Sequence, residues 1–218
     1  MRFKAVIWDM DGLLLDSERI SHNSWLTACA SLGVQIHEDV FRSIIGLNSR
    51  TSRQTLNEQI GKVADLERLI FTANEVYQER ISKGVPLKAG ARACIEWLQE
   101  NAVPQSVATS TQQDLAKKKL GHHELVDRFH SIVGGDQVTH GKPNPEIFIT
   151  AARRMEIDPA DCIIFEDSRH GIAAANASGA RPILVPDLAI HDEESKAHAW
   201  EIWESLERGP EKFAEWLG

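Results

Sequence analysis

Short, continuous runs of apolar residues recur along the chain, and stretches with helical spacing separate most of them. Runs of this kind are typical of strands that are buried on both faces. They occupy residues 5–8, 106–108, 131–133, 162–165 and 182–185, of which the second and third begin with a serine. Apolar residues recur at helical spacing around residues 91–98, 114–120, 145–155 and 171–178. Strands that alternate with helices predict an α/β protein with a doubly wound parallel sheet.

The stretch between the first and second apolar runs has a different pattern. It contains no comparable run, and apolar residues recur at helical spacing over residues 66–81. We therefore expect an all-helical insertion at residues 16–86. The core is expected to be formed by residues 1–15 and 87–218. The tail after residue 200 is expected to be helical.

Two acids follow the first predicted strand. Asp9 and Asp11 flank Met10, so on an extended segment both side chains start on one face, at the mouth of a buried strand. Unpaired carboxylates are costly there, and a cation would offset their charge. Ligands of doubly wound sheets bind beyond the carboxyl ends of the strands, which makes this position a candidate site. A turn with two solvated acids is the alternative interpretation.

Composition narrows the classes of function. The chain carries a net charge of −8 and has a pI near 5.6, whereas binding along nucleic acid or an anionic membrane requires a basic surface. We therefore expect neither partner. The three cysteines lie far apart without metal-binding spacing and are expected to be reduced core residues. No apolar run has the length of a signal peptide or membrane span, so a soluble cytoplasmic protein is expected.

Four motifs, in order, resemble those of the haloacid dehalogenase superfamily. The first is the segment 9–18, DMDGLLLDSE, which follows an apolar strand. Thr109 at the end of the next strand matches the second motif, Lys142 in GKPNP the third, and the pair Glu166–Asp167 the fourth. The helical insertion lies between the first two motifs, as in members with a helical cap of the first type. The chain therefore resembles the β-phosphoglucomutase-like and phosphosugar phosphatase members, with a Rossmann-like core.

This resemblance implies a Mg²⁺-dependent phosphatase. Asp9 would attack phosphorus and form an aspartyl-phosphate, while Asp11 would protonate the leaving oxygen and then activate the hydrolytic water. The implied metal ligands are Asp9, the backbone carbonyl of Asp11, Asp167 and, as a further contributor, Glu166. The implied phosphate ligands are Thr109, through its hydroxyl and its backbone N–H, together with Ser110 and Lys142.

The expected substrate is a small phosphorylated metabolite, and the protein is expected to be a monomer or a weak homodimer. Specificity should come from the cap, where residues 46–50 predict a loop between helices that reaches the site on closure. Asn48 and Arg50 in this loop are candidates for substrate contact; alternatively, they cap a helix or face solvent. The sequence does not choose among sugar phosphates, phosphoglycolate, 6-phosphogluconate and nucleotides.

Three other functions stay open. A β-phosphoglucomutase returns the phosphoryl group to a sugar and carries a histidine twelve residues past the nucleophile, where this chain has Ser21, followed by His22. A displacement by one residue turns a helical side chain by about 100°, which weighs against the mutase. A catalytically silent binding protein could share the fold. A phosphonate-cleaving relative would need a cap lysine, and Lys62 and Lys83 lie in no convincing setting.

Overall fold

A parallel sheet forms the centre of the computed structural model, which describes residues 3–44, 49–61, 65–189 and 191–217. Its strands are β1 (Ala5–Trp8), β2 (Gln105–Ala108), β3 (Ser131–Val133), β4 (Cys162–Glu166), β5 (Arg181–Leu184) and β6 (Glu201–Ile202). They pair in the spatial order β3-β2-β1-β4-β5-β6, and every pair is parallel. The chain builds one side of the sheet outwards from β1 and then the other, which is the order of a doubly wound sheet. The predicted fold class is confirmed.

Four helices occupy the stretch for which the sequence predicts a helical insertion. They are α1 (Ser17–Leu32), α2 (Glu38–Arg42), α3 (Ser49–Ile60) and α4 (Leu66–Ile81). Helix α1 packs against α4 and ends at Gly33, whose φ of 66° lies in the left-handed region that favours glycine. The apolar faces of the four helices form a cluster of their own around Phe41, Leu56 and Leu69. The limits 1–15, 16–86 and 87–218 for core and insertion stay a prediction.

The remaining helices cover the sheet. They are α5 (Ala91–Glu100), α6 (Gln113–Gly121), α7 (Glu146–Arg154), α8 (Arg169–Ala177), α9 (Glu193–His198) and α10 (Gly209–Leu217). Alternate residues of a strand point to opposite faces, and β1 follows this rule. Val6 and Trp8 join the cluster that contains residues of α5, α6 and α10, whereas Ala5 and Ile7 join the cluster with α7 and α8. Both faces of β1 are therefore buried, which explains its uninterrupted apolar run.

The tail differs from its prediction. Residues after Trp200 do not begin with a helix, because β6 comes first and α10 follows later. The backbone N–H groups of Trp200 and Trp203 donate to the carbonyl oxygens of Pro182 and Leu184 at 2.7 and 2.8 Å, which ties this segment to β5. A strand of only two residues carries no readable alternation, so the sequence pattern missed it.

The cysteine prediction is confirmed, because Cys29, Cys94 and Cys162 are all free and buried. Among the helices within the described ranges, none combines the length and the apolar character needed to cross a bilayer.

Candidate active site

A cleft of about 460 Å³ opens at the carboxyl ends of β1, β2 and β4. The strand order reverses beside β1, and such a reversal leaves a crevice between the segments that leave the sheet. Asp9 follows β1, Thr109 follows β2 and Asp167 follows β4, so three strand ends bring polar side chains into one cleft. Lys142 enters it from the loop before α7. The fold therefore gathers side chains that are far apart in the sequence.

A buried ion-pair cluster holds Asp9. The Lys142 ammonium donates to Asp9 Oδ1 at 2.5 Å, to Glu166 Oε1 at 2.6 Å and to the Ala108 carbonyl oxygen at 3.1 Å. Burial lowers the pKa of Lys142, but Asp9 and Glu166 outweigh burial and raise this pKa overall, so the lysine stays charged. Burial raises the pKa of Asp9; Lys142 opposes that shift and Glu166 adds to it.

Glu166, the last residue of β4, orients Lys142. Its Oε2 accepts hydrogen bonds from the backbone N–H and the hydroxyl of Ser168 at 2.8 and 3.0 Å, while Oε1 accepts from Lys142. A Cβ at Gly171 would lie 1.8 Å from the Glu166 carboxyl carbon, so only glycine leaves room for this carboxylate. Because both oxygens are engaged, the geometry favours a role in holding Lys142 over direct metal ligation.

Asp167 provides the test of the metal prediction. Its Oδ2 is buried and has no hydrogen-bond partner among the residues that the structure describes. Carboxylate oxygens of Asp9, Glu166 and Asp167 lie within 4.8 Å of one another, and burial together with the charges of Glu166 and Asp9 raises the pKa of Asp167. When all three carboxyl groups are ionised, they and the Lys142 ammonium sum to a charge of −2, which one divalent cation would balance. Oxygen ligands suit Mg²⁺, so these residues fit that ion.

Asp11 lies in a separate set of contacts. Its Oδ1 accepts hydrogen bonds from the Ser17 hydroxyl at 2.5 Å and the Lys119 ammonium at 2.6 Å. Its Oδ2 accepts from the hydroxyls of Thr111 at 2.7 Å and Thr109 at 3.3 Å. Burial alone would raise the pKa of Asp11, but Lys119, Ser17 and Thr111 lower it overall. In this structure Asp11 is therefore a carboxylate with four donors.

Thr109 departs in part from its prediction. Its backbone N–H donates to the Val133 carbonyl oxygen at 3.0 Å, within the sheet, so the expectation that this N–H binds phosphate is wrong. The Thr109 hydroxyl does lie in the cleft, where it donates to Asp11 and accepts from the Thr111 N–H at 3.1 Å. Ser110 also lines the cleft. The phosphate roles of these hydroxyls stay predictions.

Helix α3 begins at Ser49 and includes Arg50, so the prediction of a loop over residues 46–50 is wrong for these two residues, and residues 46–48 lie outside the described residues. The Arg50 side chain is exposed, and Arg50 is absent from the residues described as lining the cleft. Asn48 lies outside the described residues. Substrate contact by either residue stays a prediction.

A second cavity of about 460 Å³ adjoins the cleft and lies among α1, α2, α3 and α4. The two share four lining residues, Glu18, Ser21, Asn74 and Tyr77. Trp25 and Phe41 form part of its apolar wall, with ring centres 5.4 Å apart. His22 lines this second cavity and not the cleft, and its Nε2 is buried without a partner among the described residues. Ser21, its neighbour, lines both.

Several side chains of the cleft were not predicted from the sequence. Thr111, Lys119 and Tyr77 were not identified, and Ser17 and Glu18 were noted only as letters of the first motif. One signal for Lys119 was available, because a helical phase that buries Ala116 and Leu120 also buries position 119. The contact of Lys119 with α4 had no local signal, since it joins segments that are distant in the chain.

Comparison with known families and proteins agrees with this geometry. The family model described as "Haloacid dehalogenase-like hydrolase" matches residues 6–185. A "Phosphorylated carbohydrates phosphatase" from Thermotoga maritima is 32% identical over 189 residues, covering 87% of this chain and 88% of that protein. A "Probable pseudouridine-5'-phosphatase" from Drosophila melanogaster is 31% identical over 214 residues, covering 95% of this chain and 92% of that protein.

A solved structure is also similar to this chain. The crystal structure of a putative beta-phosphoglucomutase from Thermotoga maritima superimposes with a TM-score of 0.77 at 29% identity, covering 99% of both chains. The similarity that the four motifs predicted is thus confirmed by a match that spans the sheet, the helical segment and the cleft.

Proposed function

The chain belongs to the haloacid dehalogenase-like hydrolase family, and we propose that it is a Mg²⁺-dependent phosphatase that hydrolyses a small phosphorylated metabolite through an aspartyl-phosphate. The observation that carries this proposal is the buried cluster of Asp9, Lys142, Glu166 and Asp167, which lies beside a second acid, Asp11. Such a pair of acids supplies both a nucleophile and a proton carrier for phosphoryl transfer.

Asp9 is the proposed nucleophile. A carboxylate and a phosphate dianion repel each other, so attack requires positive charge between them. Lys142 lies 2.5 Å from Asp9 Oδ1 and supplies part of it. Asp9, Asp167 and the Asp11 carbonyl would hold Mg²⁺, which contributes charge neutralisation and orients the phosphate when bound. Glu166 keeps Lys142 directed at this position.

Asp11 is the proposed acid and base. As an ionised group in this structure, it is suited to take a proton from the water that hydrolyses the intermediate. The earlier step needs the protonated form, and the negative charge of a phosphate dianion nearby raises the pKa of a carboxyl group. Substrate binding therefore favours the protonated form of Asp11, which then passes its proton to the leaving oxygen.

The leaving group is proposed to be a sugar or a related small polar group. The relatives named above act on phosphorylated carbohydrates and on a nucleotide, by their names. Beyond the phosphate position, the cleft offers Glu18, Ser21, Asn74 and Gln78, which can hydrogen-bond hydroxyl groups. The adjoining cavity among the four helices gives further room on the same side.

Phosphosugar mutase activity is the alternative that an observation allows, because the protein named for the solved structure above is a putative β-phosphoglucomutase. A mutase needs a proton carrier for the sugar hydroxyl. His22 is the nearest histidine by sequence, yet it lines only the adjoining cavity, whereas Ser21, at the position of the mutase histidine, also lines the cleft. This arrangement supports hydrolysis over mutase chemistry.

The test is phosphate release by the purified protein on p-nitrophenyl phosphate, sugar phosphates, phosphoglycolate and nucleotides, with Mg²⁺ and with EDTA. We expect turnover that requires both Mg²⁺ and Asp9, with Asp9→Asn as the inactive and folded comparison. Isomerisation of a sugar phosphate without net phosphate release would favour the mutase. A folded wild type that does neither would reject both activities.

A further inference from the structure

Lys119 is a buried cation that the functions above leave unassigned. It belongs to a run of three lysines on α6, of which Lys117 and Lys118 are exposed whereas Lys119 is 2% exposed. Its Nζ lies 2.6 Å from Asp11 Oδ1. Its Nζ also lies 5.4 Å from the centre of the Tyr77 ring on α4. A single ammonium thus connects the proposed proton carrier with the helical segment.

The donors around Asp11 fix both the position and the plane of its carboxyl group. Ser17 from α1 and Lys119 from α6 hold Oδ1, while Thr111 and Thr109 hold Oδ2. Among these four donors only Lys119 is charged, and charge-assisted hydrogen bonds are roughly twice as strong as neutral ones. Loss of Lys119 would leave Oδ1 with the Ser17 hydroxyl, which can rotate.

Fold stability alone gives little reason for this arrangement. A buried ion pair contributes little net stability compared with apolar residues of the same volume. The neighbours of Lys119 on the buried face of α6 are Ala116 and Leu120, so an apolar side chain would suit that face. A role of Lys119 in the function of its partner, Asp11, therefore explains this arrangement better than stability does.

We propose that Lys119 is a positioning residue that aligns the Asp11 carboxyl group with the leaving oxygen, and that Tyr77 of α4 in turn restrains Lys119. This inference rests on the proposed phosphatase function. In the step concerned, a bond forms between Asp9 and phosphorus while the bond from phosphorus to the leaving oxygen breaks. The proton on Asp11 moves to that oxygen, so the alcohol leaves neutral.

The experiment compares two kinds of leaving group. Nitrophenolate is a stable anion and leaves without a proton, whereas a sugar alkoxide needs one. The rate of Asp9 phosphorylation is measured by rapid quench in single turnovers, with p-nitrophenyl phosphate and with the best alkyl phosphate of the wild type. The variants are Lys119→Met and Lys119→Arg, with the exposed Lys118→Met as the matched control on the same helix.

We expect Lys119→Met to slow phosphorylation by the alkyl phosphate about 100-fold, and phosphorylation by p-nitrophenyl phosphate less than about 10-fold. Lys119→Arg should recover part of the difference, and Lys118→Met should match the wild type. Equal losses with both substrates, or no loss with either, would overturn the proposal. A wild type that forms no phosphoenzyme would instead reject the function on which it rests.

A second variant keeps the proposal testable if substitution of Lys119 prevents folding. Tyr77→Leu keeps both members of the ion pair of Lys119 and Asp11 and removes the ring and the hydroxyl beside the ammonium. We expect the same selective loss with the alkyl phosphate at about 3- to 10-fold, since a desolvated cation–π contact contributes on that scale. A loss that is equal for both substrates would overturn the role given to Tyr77 and Lys119.

Discussion

Two lysine–aspartate pairs share the cleft, and they are built from different parts of the molecule. Asp9 and Lys142 belong to the sheet core and are joined there by Glu166. Asp11 and Lys119 lie beside Tyr77, so their surroundings include the helical segment. Burial raises the pKa of Asp9, whereas Lys119 and hydroxyl donors lower that of Asp11. Two acids only two positions apart are thus shifted in opposite directions.

The direction of these shifts is the reverse of what the first step of the proposed mechanism needs. A nucleophile must be ionised and a proton donor must hold its proton. A cation beside Asp9 lowers its pKa, and a dianion beside Asp11 raises its pKa. If Asp9 and Asp11 act as proposed, a bound cation and a bound phosphate would each favour the protonation state that the first step needs.

The largest effect on activity should come from replacing Asp9, the acid of the first pair, and the next largest from replacing Asp11, the acid of the second pair. Asp9→Asn removes the nucleophile, and we expect turnover to fall by at least about 10⁴-fold with every phosphate ester. Asp11→Asn should cost about 10²–10⁴-fold with alkyl phosphates, because proton transfer contributes on that scale. Steady-state rates and trapping of the phosphoenzyme check this. Equal losses in both variants would remove the distinction between nucleophile and proton carrier.

Replacing Lys142, the cation of the first pair, should have the largest effect on the free energy of unfolding. Lys142→Met leaves Asp9 and Glu166 buried without their cation, and removal of one partner from a buried pair costs about 3–5 kcal/mol. Urea unfolding in EDTA measures the change. Lys118→Met, on the surface of α6, is the control and should stay within about 0.5 kcal/mol of the wild type. A similarly small change in Lys142→Met would show that the carboxylates are protonated in the native state.

The sequence predicted the first pair better than the second. Asp9, Lys142 and Asp167 follow predicted strands or precede a predicted helix, and parallel strands bring such positions to one edge of a sheet. Topology therefore follows from the alternation of apolar runs and helices. The pair of Asp11 and Lys119 needs the packing of α6 against α4, which no local pattern reports. A lysine among lysines is normally expected on the surface.

Two other misses have similar physical causes. The backbone N–H of Thr109 is used by the sheet, because β2 continues its pairing with β3 up to that residue. The motif marks Thr109 but does not report where pairing stops. Thr111 binds Asp11 two residues later, where the chain has already left the strand. Side chains beyond a strand end depend on the turn, whose geometry the sequence leaves open.

Replacing Asp167 tests the predicted metal site, and its expected effect on the free energy of unfolding is smaller than that of Lys142→Met. Asp167→Asn removes one of three clustered charges, so we expect a gain of about 1–2 kcal/mol in EDTA. Mg²⁺ at a hundred times its dissociation constant should stabilise the wild type by about 2.7 kcal/mol and the variant far less. Thermal unfolding with and without Mg²⁺ measures both. The exposed acid Asp39 provides a control, since Asp39→Asn should keep the full Mg²⁺ response.

The smallest effect concerns Glu18, which lies on α1 near the second pair and lines both cavities. Burial, with the charge of Asp11 next in size, raises its pKa to about 8. The unfolded chain releases this proton near pH 4.3. Between these values the folded protein holds a proton that the unfolded chain has lost, so native stability falls as pH rises through this range. Glu18→Gln should remove that contribution.

The measurement is the free energy of unfolding of Glu18→Gln and wild type from pH 4 to pH 9, in EDTA. We expect no gain from the substitution at pH 4 and a gain of about 1–2 kcal/mol by pH 8.5, a value discounted for solvent at the cleft. Glu75→Gln, an exposed position on α4, should give no pH-dependent gain. If Glu18→Gln shifts stability equally at all pH values, neither burial nor the charge of Asp11 raises the pKa of Glu18 in the folded protein.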